Sequence, residues 1–431
     1  MKTAAFLPAK GTSNRISNKN MKLLDGQPLF LYTLKKLLAC PFIDEVYLDT
    51  ENPDMMAMAR DIGARVLQRD VALADNATDG NALLRNECSQ VEADIYLQVL
   101  CTSPFIEIAT YQRAVEALSG ADGYDSAVLV RREKQYLWND GHPAYRIDPI
   151  PNSVDLPETI IETMGMYAVT RECIRTTGRR IGERPLQLEA RPLEAIDVNV
   201  PEDFAMANLI AAGLRESDRR LMQNLKEQLC SAMLSDILDD LGYENQIIKS
   251  LQPNLACKLL GRAKTLHIRK LRSGEDFRGI YQALESYDTI VPNDIILVQN
   301  DAPEYAYFGE LNANLAIRSG ATGAIIGGKT RDGDALLKLG FPVFSSGLSC
   351  QDVRRRATLE SVNRPITIDG VQVRPDQLIF ADCEGIVVIP GEAEQQVLAR
   401  CMDTVRTEKK VLLDISLGTE TSDLVKRYGV F

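Results

Sequence analysis

Apolar and polar positions alternate along the first half of the chain with two periods. TAAFLP is an unbroken apolar run of strand length, which predicts a strand buried on both faces. In PLFLYTLKKLLA, Phe30, Leu34, Leu37 and Leu38 recur at helical spacing and predict an amphipathic helix. EVYLDT reads as the next strand, PDMMAMARDIG as a helix closed by Gly63, and DIYLQVLC and SAVLV as further strands. Strand following helix in this way predicts a mostly parallel sheet with helices on both faces. PEDFAMANLIAAGL predicts a closing helix with Pro201 near its start and Gly213 near its end. AAGLRESDRRLMQ then passes from apolar to charged, and a fresh amphipathic run carries Leu221, Leu225 and Leu229. The domain boundary is placed there, giving residues 1–213 and 214–431.

The second half has a different texture. Short Ile- and Val-rich strands are punctuated by glycine, Asp-Gly and Pro, as in GATGAIIGGKTRDGDA, FPVFSSG and ITIDGVQVRPDQLIFADCEGIVVIPGEA. They predict an α+β or swivelling α/β domain. A final helix is expected from about Glu392 to Thr407, with Val397, Cys401 and Val405 on one face. No internal repeat is visible, and the two halves do not resemble each other.

Composition narrows the function classes. A length of 431 residues suits two domains. No apolar run reaches membrane-spanning length, and MKTAAFLPAK is too soon interrupted to be a signal peptide. Nine cysteines without a CxxC read as reduced thiols of a cytoplasmic protein; Cys101 and Cys383, in apolar strand-end contexts, read as packing. Only two histidines, His142 and His267, are present, leaving little material for zinc or a Ser-His-Asp triad. His142 reads as a loop residue and His267 as structural. The net charge of −11 argues against a nucleic-acid surface. A carboxylate site for magnesium or manganese stays open.

Against this acidic background, AKGTSNRISNKN is locally basic. It leaves the first strand, where ligands bind in parallel sheets. Gly11 permits close backbone approach, Thr12, Ser13 and Asn14 are small and hydrogen-bonding, and Lys10, Arg15 and Lys19 supply cations for phosphate. Read locally, this is either a phosphate cradle or a solvated basic turn. It is not a Walker loop.

The segment AAFLPAKGTSNRISNKNMKLLDGQPL resembles the N-terminal signature of the acylneuraminate and CMP-ulosonate cytidylyltransferases. RDVALADNATDG, LQVLCTSPF, ETMGMY and AIDVNVPEDF follow in the family's order over about 210 residues. The resemblance implies a Rossmann-like nucleotidyltransferase fold. It implies that Lys10, Gly11, Ser13, Arg15, Lys19 and Asn20 hold the CTP phosphates and ribose, that Arg69, Asp75 and Gln98 lie near the cytosine and ribose, and that Asp197 binds Mg2+ or Mn2+. Asn199 stands where the family has a second aspartate, and Asn14 replaces a common cation. The implied reaction is attack of an acceptor hydroxyl on the α-phosphate of CTP, with departure of pyrophosphate. The implied acceptor is a 2-keto-3-deoxy sugar acid. Asp197 as a helix cap and Gln98 as a buried structural amide stay open.

In the second half, Arg331 and Asp332 follow a glycine turn and could be a surface salt bridge. SDILDDLG, GRAKT, VPNDIILVQ, FGELNANLAIRSGATGAIIGGKTRDGDALLKLGFPVFSSG and FADCEGIVVIP together resemble the regulator of ribonuclease activity A (RraA) and the 4-hydroxy-4-methyl-2-oxoglutarate aldolases, over roughly residues 217 to 410. Those aldolases carry an acidic residue, twenty residues and then Arg-Asp; here Glu310 precedes Arg331-Asp332 by that interval. The resemblance implies a metal-dependent pyruvate aldolase. Asp332 would anchor the metal, Arg331 would stabilise the enolate oxygen, the Leu311 and Asn312 N–H groups would hold the substrate carboxylate, and Glu310 would position a water. It also implies a homo-oligomer, a trimer or hexamer through the C-terminal domain, with dimer contacts through the N-terminal one. The joint expectation is a bifunctional enzyme whose halves act on one kind of keto acid. The alternatives are a non-catalytic C-terminal domain, a non-sugar acceptor such as a phosphonate, and a ribonuclease-binding protein.

Overall fold

In the computed structural model, which describes residues 1–13, 15–75 and 78–429, the chain divides into two compact units, Met1–Ala212 and Gly213–Phe431. The division falls inside one helix, Pro201–Lys226. Gly213 therefore does not end a helix, contrary to the sequence expectation. The charged stretch after it continues the helix because Glu216 pairs with Arg219 and Arg220, three and four residues on.

In the first unit, the strand Thr3–Pro8 is buried at every residue. It pairs in parallel with Glu45–Thr50 and with Ile95–Val99, inside a seven-stranded sheet. Arg65–Gln68 extends it in parallel at one edge. On the other side Thr159–Thr170 runs antiparallel to both Ile95–Val99 and Ser126–Glu133. Successive residues of Thr3–Pro8 feed opposite faces. Ala5 and Leu7 pack beneath Phe30 and Leu34 of helix Leu29–Leu38, and Ala4 and Phe6 beneath Leu84 of helix Gly80–Gln90. Helices thus cover both faces, and strand ends meet the connecting loops along one edge.

In the second unit, Leu259–Lys270, Asp294–Asn300, Gly323–Gly327 and Val343–Ser345 run parallel. Leu378–Ala381 and Ala357–Val362 pair antiparallel with Leu259–Lys270, making a mixed nine-stranded sheet. Helix Glu310–Ser319 packs on one face, and the Ile366–Ile368/Val371–Val373 hairpin closes the other. Both units are α/β. The last long helix is Glu394–Ser416, longer than its apolar stripe suggests, with Val397, Cys401 and Val405 buried.

All nine cysteines are free. Cys101 is buried, but Cys383 is exposed, so the packing role expected of Cys383 is not observed. His142 is exposed, and His267 lies 2.9 Å from Asp301. No helix among the described residues is long and apolar enough to cross a membrane.

One buried carboxylate sets a pH response. Asp294 is fully buried, 3.3 Å from Arg215 and 3.9 Å from Lys264. Burial pushes its carboxyl up to about 6, against the pull of Lys264. An unfolded aspartate titrates near ~3.9. The raised group's contribution to stability is therefore full below ~pH 4 and lost as pH rises through ~6, by up to about 3 kcal/mol. With Asp294→Asn, urea denaturation is expected to show the variant gaining on the wild type between about pH 4 and 7. A difference that stays constant over that range would contradict this.

Candidate active sites

The first site forms where the strand Thr3–Pro8 gives way to the loop carrying Lys10, Gly11, Ser13 and Arg15. The Gly11 N–H donates to Glu51 Oε1 at 2.6 Å, and a Cβ on Gly11 would stand 2.8 Å from Asn52 Nδ2. The loop backbone thus lies directly against the end of the neighbouring strand. Asn20 closes it from the far side: its Nδ2 donates to Lys10 O at 2.8 Å, and Cys101 Sγ donates to its Oδ1 at 3.1 Å. Asn14 lies outside the described residues.

Lys19 is buried and donates to Val198 O at 2.9 Å. Burial holds its ammonium below the usual lysine value. The nearby Cys101 and Asp197 oppose that shift, and Arg15 and Lys10 add to it. Lys10, Arg15, Lys19 and Asp197 therefore share one electrostatic neighbourhood. The N–H groups of Asn199 and Val200, just ahead of the helix Pro201–Lys226, go to Asp203 at 2.8 and 2.9 Å rather than to Asp197. Instead Asp197 accepts from the Asn199 amide.

Arg69 acts on the same Cys101 thiol as Lys19 and Asp197, while Arg69, Asp75 and Gln98 each have protein partners of their own. Arg69 is buried and committed to Asp49, with Nη2 2.7 Å from Oδ2. Exposed Asp75 turns back to accept from Thr78 N and Oγ1 at 2.8 and 2.7 Å. Gln98 is fully buried; its Nε2 donates to Glu87, and its Oε1 has no partner among the described residues. Burial first, and then the Asp49 carboxylate, push the Glu87 carboxyl well up. Asp49, Arg69, Glu87 and Gln98 form one buried polar cluster. Asp49 and Glu87 escaped the sequence reading, since nothing local marks them.

The second site is built by a two-residue register. Ala306–Phe308 pairs in parallel with Lys329–Thr330, Phe308 opposite Thr330. That pairing sets Gly309-Glu310 beside Arg331-Asp332. Arg331 N donates to Phe308 O at 2.9 Å, and Asp332 Oδ2 accepts Glu310 N at 3.1 Å. A Cβ on Gly309 would lie 2.5 Å from Asp332 Oδ2, so glycine is needed for the approach. Glu310 opens the helix Glu310–Ser319, and Leu311 and Asn312 fall in its first turn, where the helix supplies no acceptor for N–H groups. Asn312 Nδ2 donates to Tyr287 OH at 2.9 Å.

Arg331 is not simply paired with its neighbour. Its Nη1 lies 2.8 Å from Asp352, while Nε is 3.7 Å from Asp332. The backbone bridge between Ala306 and Asp352 brings that partner in. Gly309, Leu311, Asn312, Arg331 and Asp332 line one cavity of ≈780 Å³, with Tyr281, Tyr307, Arg318 and Arg354 on its other walls. Asp352 and Arg354 are not legible in the sequence because the contacts that recruit them are distant in the chain, and Arg318, two turns along the helix Glu310–Ser319, carries no local mark.

No group of three or more His, Cys, Asp or Glu stands together among the described residues. The first site offers Asp197, and the second offers Asp332 with Asp352 on the same cavity. That donor set suits a magnesium ion that keeps most of its water and takes substrate oxygens, rather than one caged by protein.

Comparison with known proteins finds one family model within each unit. Residues 4–140 match the cytidylyltransferase family model, and residues 231–388 match the Aldolase/RraA model. Protein DlpA of Legionella pneumophila is 28% identical over 211 residues, 48% of this chain and 34% of that one. A putative 4-hydroxy-4-methyl-2-oxoglutarate aldolase of Halalkalibacterium halodurans is 29% identical over 39% of this chain and 75% of its own. N-acylneuraminate cytidylyltransferase A of Danio rerio is 24% identical over 47% of this chain and 49% of its own. The chain spans about a third of the first of these relatives and about half of the third. The first unit resembles cytidylyltransferases, and the second resembles Aldolase/RraA proteins.

Proposed function

We propose that the chain is bifunctional: its first unit transfers CMP from CTP to a 2-keto-3-deoxy sugar acid, and its second performs pyruvate aldol chemistry on a related keto acid. The observation that carries the first part is the convergence of Lys19, Arg15, Lys10 and Asp197 on one neighbourhood. Three cations and one carboxylate suit a triphosphate with a divalent cation, and phosphoryl transfer needs chiefly positioning and charge neutralisation. Gly11 lets phosphate oxygens approach the loop N–H groups, and Asn20 fixes the loop through Lys10 O. Lys19→Met removes the buried cation while keeping its bulk. Pyrophosphate release from CTP is expected to fall by ~10²-fold, read with a panel of 2-keto-3-deoxy sugar acids of different chain length. Wild-type rates in the variant would count against this reading of the loop.

For the second part, support comes from Arg331 and Asp332 meeting on one cavity with Leu311 and Asn312, and from the Glu310 N–H that Asp332 accepts beside it. Asp332 would hold a divalent cation, which supplies Lewis-acid charge stabilisation when bound. The Leu311 and Asn312 N–H groups would receive the keto-acid carboxylate at the positive end of the helix. Arg331, steadied by Asp352, would face the oxygen that gains charge as the carbon–carbon bond breaks. Glu310 would hold the water that exchanges a proton with the methyl carbon.

A further inference from the structure

The cavity of the second unit carries two arginines that pyruvate chemistry leaves unused. Arg318 and Arg354 stand on its walls with Arg331. Arg331 is matched by carboxylates, Asp352 at 2.8 Å and Asp332 at 3.7 Å. The Arg318 guanidinium makes no hydrogen bond or ion pair among the described residues. Arg354 donates its backbone N–H to Asp352 Oδ1 at 2.6 Å, but its guanidinium goes to rings instead of a carboxylate. It lies 5.6 Å from the Phe277 centroid and 6.0 Å from that of Tyr281. Those rings meet edge to face, 6.4 Å apart. Ring contacts of this kind position a guanidinium without neutralising it, and its N–H donors stay available.

The helix sets the distance from these cations to the reacting end. Leu311 and Asn312 lie in the first turn of Glu310–Ser319, and Arg318 follows Leu311 by two turns on the same face. Two turns advance ~10 Å along the axis, and helical side chains lean back toward the N-terminus. An extended chain gains roughly 1.2 Å per bond. A six-carbon 2-keto-3-deoxy acid esterified at its last carbon therefore places phosphorus roughly 8 Å from the carboxyl carbon. With its carboxylate at the Leu311 and Asn312 N–H groups, such an acid brings its phosphate to Arg318. A phosphate dianion can take both guanidinium groups, each through paired N–H donors. A cavity of ≈780 Å³ suits a molecule of that size better than pyruvate alone.

We infer that Arg318 and Arg354 are specificity residues of the second unit, holding a phosphate ester at the far end of the keto acid it cleaves. This rests on the pyruvate-aldol reading of that unit. The C3–C4 bond breaks, and its electron pair forms the enolate that gains a proton as pyruvate. The C4 hydroxyl loses its proton and becomes the aldehyde of a sugar phosphate, with the ester intact.

The test uses the full chain with magnesium and three probes: 2-keto-3-deoxygluconate, its 6-phosphate, and 4-hydroxy-2-oxoglutarate, whose far end is a carboxylate. Pyruvate release by the wild type is expected to show a kcat/KM ~10- to 100-fold higher for the phosphate ester than for the free acid. Arg318→Gln and Arg354→Gln should each erase most of that preference, and Arg354→Lys should fall between, since lysine lacks the paired donors. A wild type without the preference, a preference kept in both glutamine variants, or faster cleavage of the carboxylate-ended acid would each overturn the inference. Exchange of the pyruvate methyl protons in deuterium oxide, read by NMR, checks the underlying reading separately. A wild type that exchanges them yet cleaves none of the three probes overturns the inference alone, and one that does neither overturns the reading with it.

Discussion

Asp332→Asn is expected to lower pyruvate release by at least ~10³-fold, the scale on which charge-stabilising groups act in enolate chemistry, while pyrophosphate release from CTP is unchanged. The substitution suits the question because it preserves the backbone. Asp332 sits at φ 56°, ahead of the helix Gly333–Leu339, and asparagine tolerates that region better than most residues. The amide oxygen can still accept the Glu310 N–H that Asp332 Oδ2 holds at 3.1 Å. What is lost is the charge. A melting temperature near wild type with pyruvate chemistry gone would assign the loss to the site. Pyruvate release within about tenfold of wild type would remove Asp332 from the mechanism.

Arg69→Met is expected to be the most destabilising single change in the first unit. Arg69 and Asp49 are both almost fully buried, with side-chain exposures of 3% and 1%, and Arg69 Nη2 also donates to Asp49 O at 3.0 Å. Removing one partner strands a buried charge, which costs about 3–5 kcal/mol. For a unit of this size that corresponds to a loss of roughly 6–20 °C in melting temperature. Asp49→Asn in the Arg69→Met background removes the stranded charge and is expected to recover part of the loss, a non-additivity typical of direct partners. Calorimetry of the four proteins measures it. A loss below about 1 kcal/mol in the single variant would mean that the pair is hydrated in solution.

The same contrast explains what the sequence could say. The buried run Thr3–Pro8, the helix Leu29–Leu38 and the loop after the first strand are local patterns, legible because burial and period act on neighbouring residues. The Glu310–Arg331–Asp332 set is also legible, as a fixed interval bridged by one short parallel pairing. The helix through Gly213 was not: a mid-helix glycine costs only about 1 kcal/mol, and the Glu216 pairs outweigh the apparent break. The partners that hold the sites were hidden for a different reason. Asp49 reaches Arg69 through sheet register, Glu87 reaches Gln98 by packing of the helix Gly80–Gln90 on the sheet, and Asp352 reaches Arg331 through one isolated backbone bridge.

Both units are proposed to act on one kind of acid. The most direct test is one assay of the wild type with magnesium and each 2-keto-3-deoxy sugar acid, reading pyruvate without CTP and a CMP adduct with CTP by mass spectrometry. At least one acid is expected to give both pyruvate and the adduct. An acid that accepts CMP while no acid of the panel yields pyruvate would contradict it.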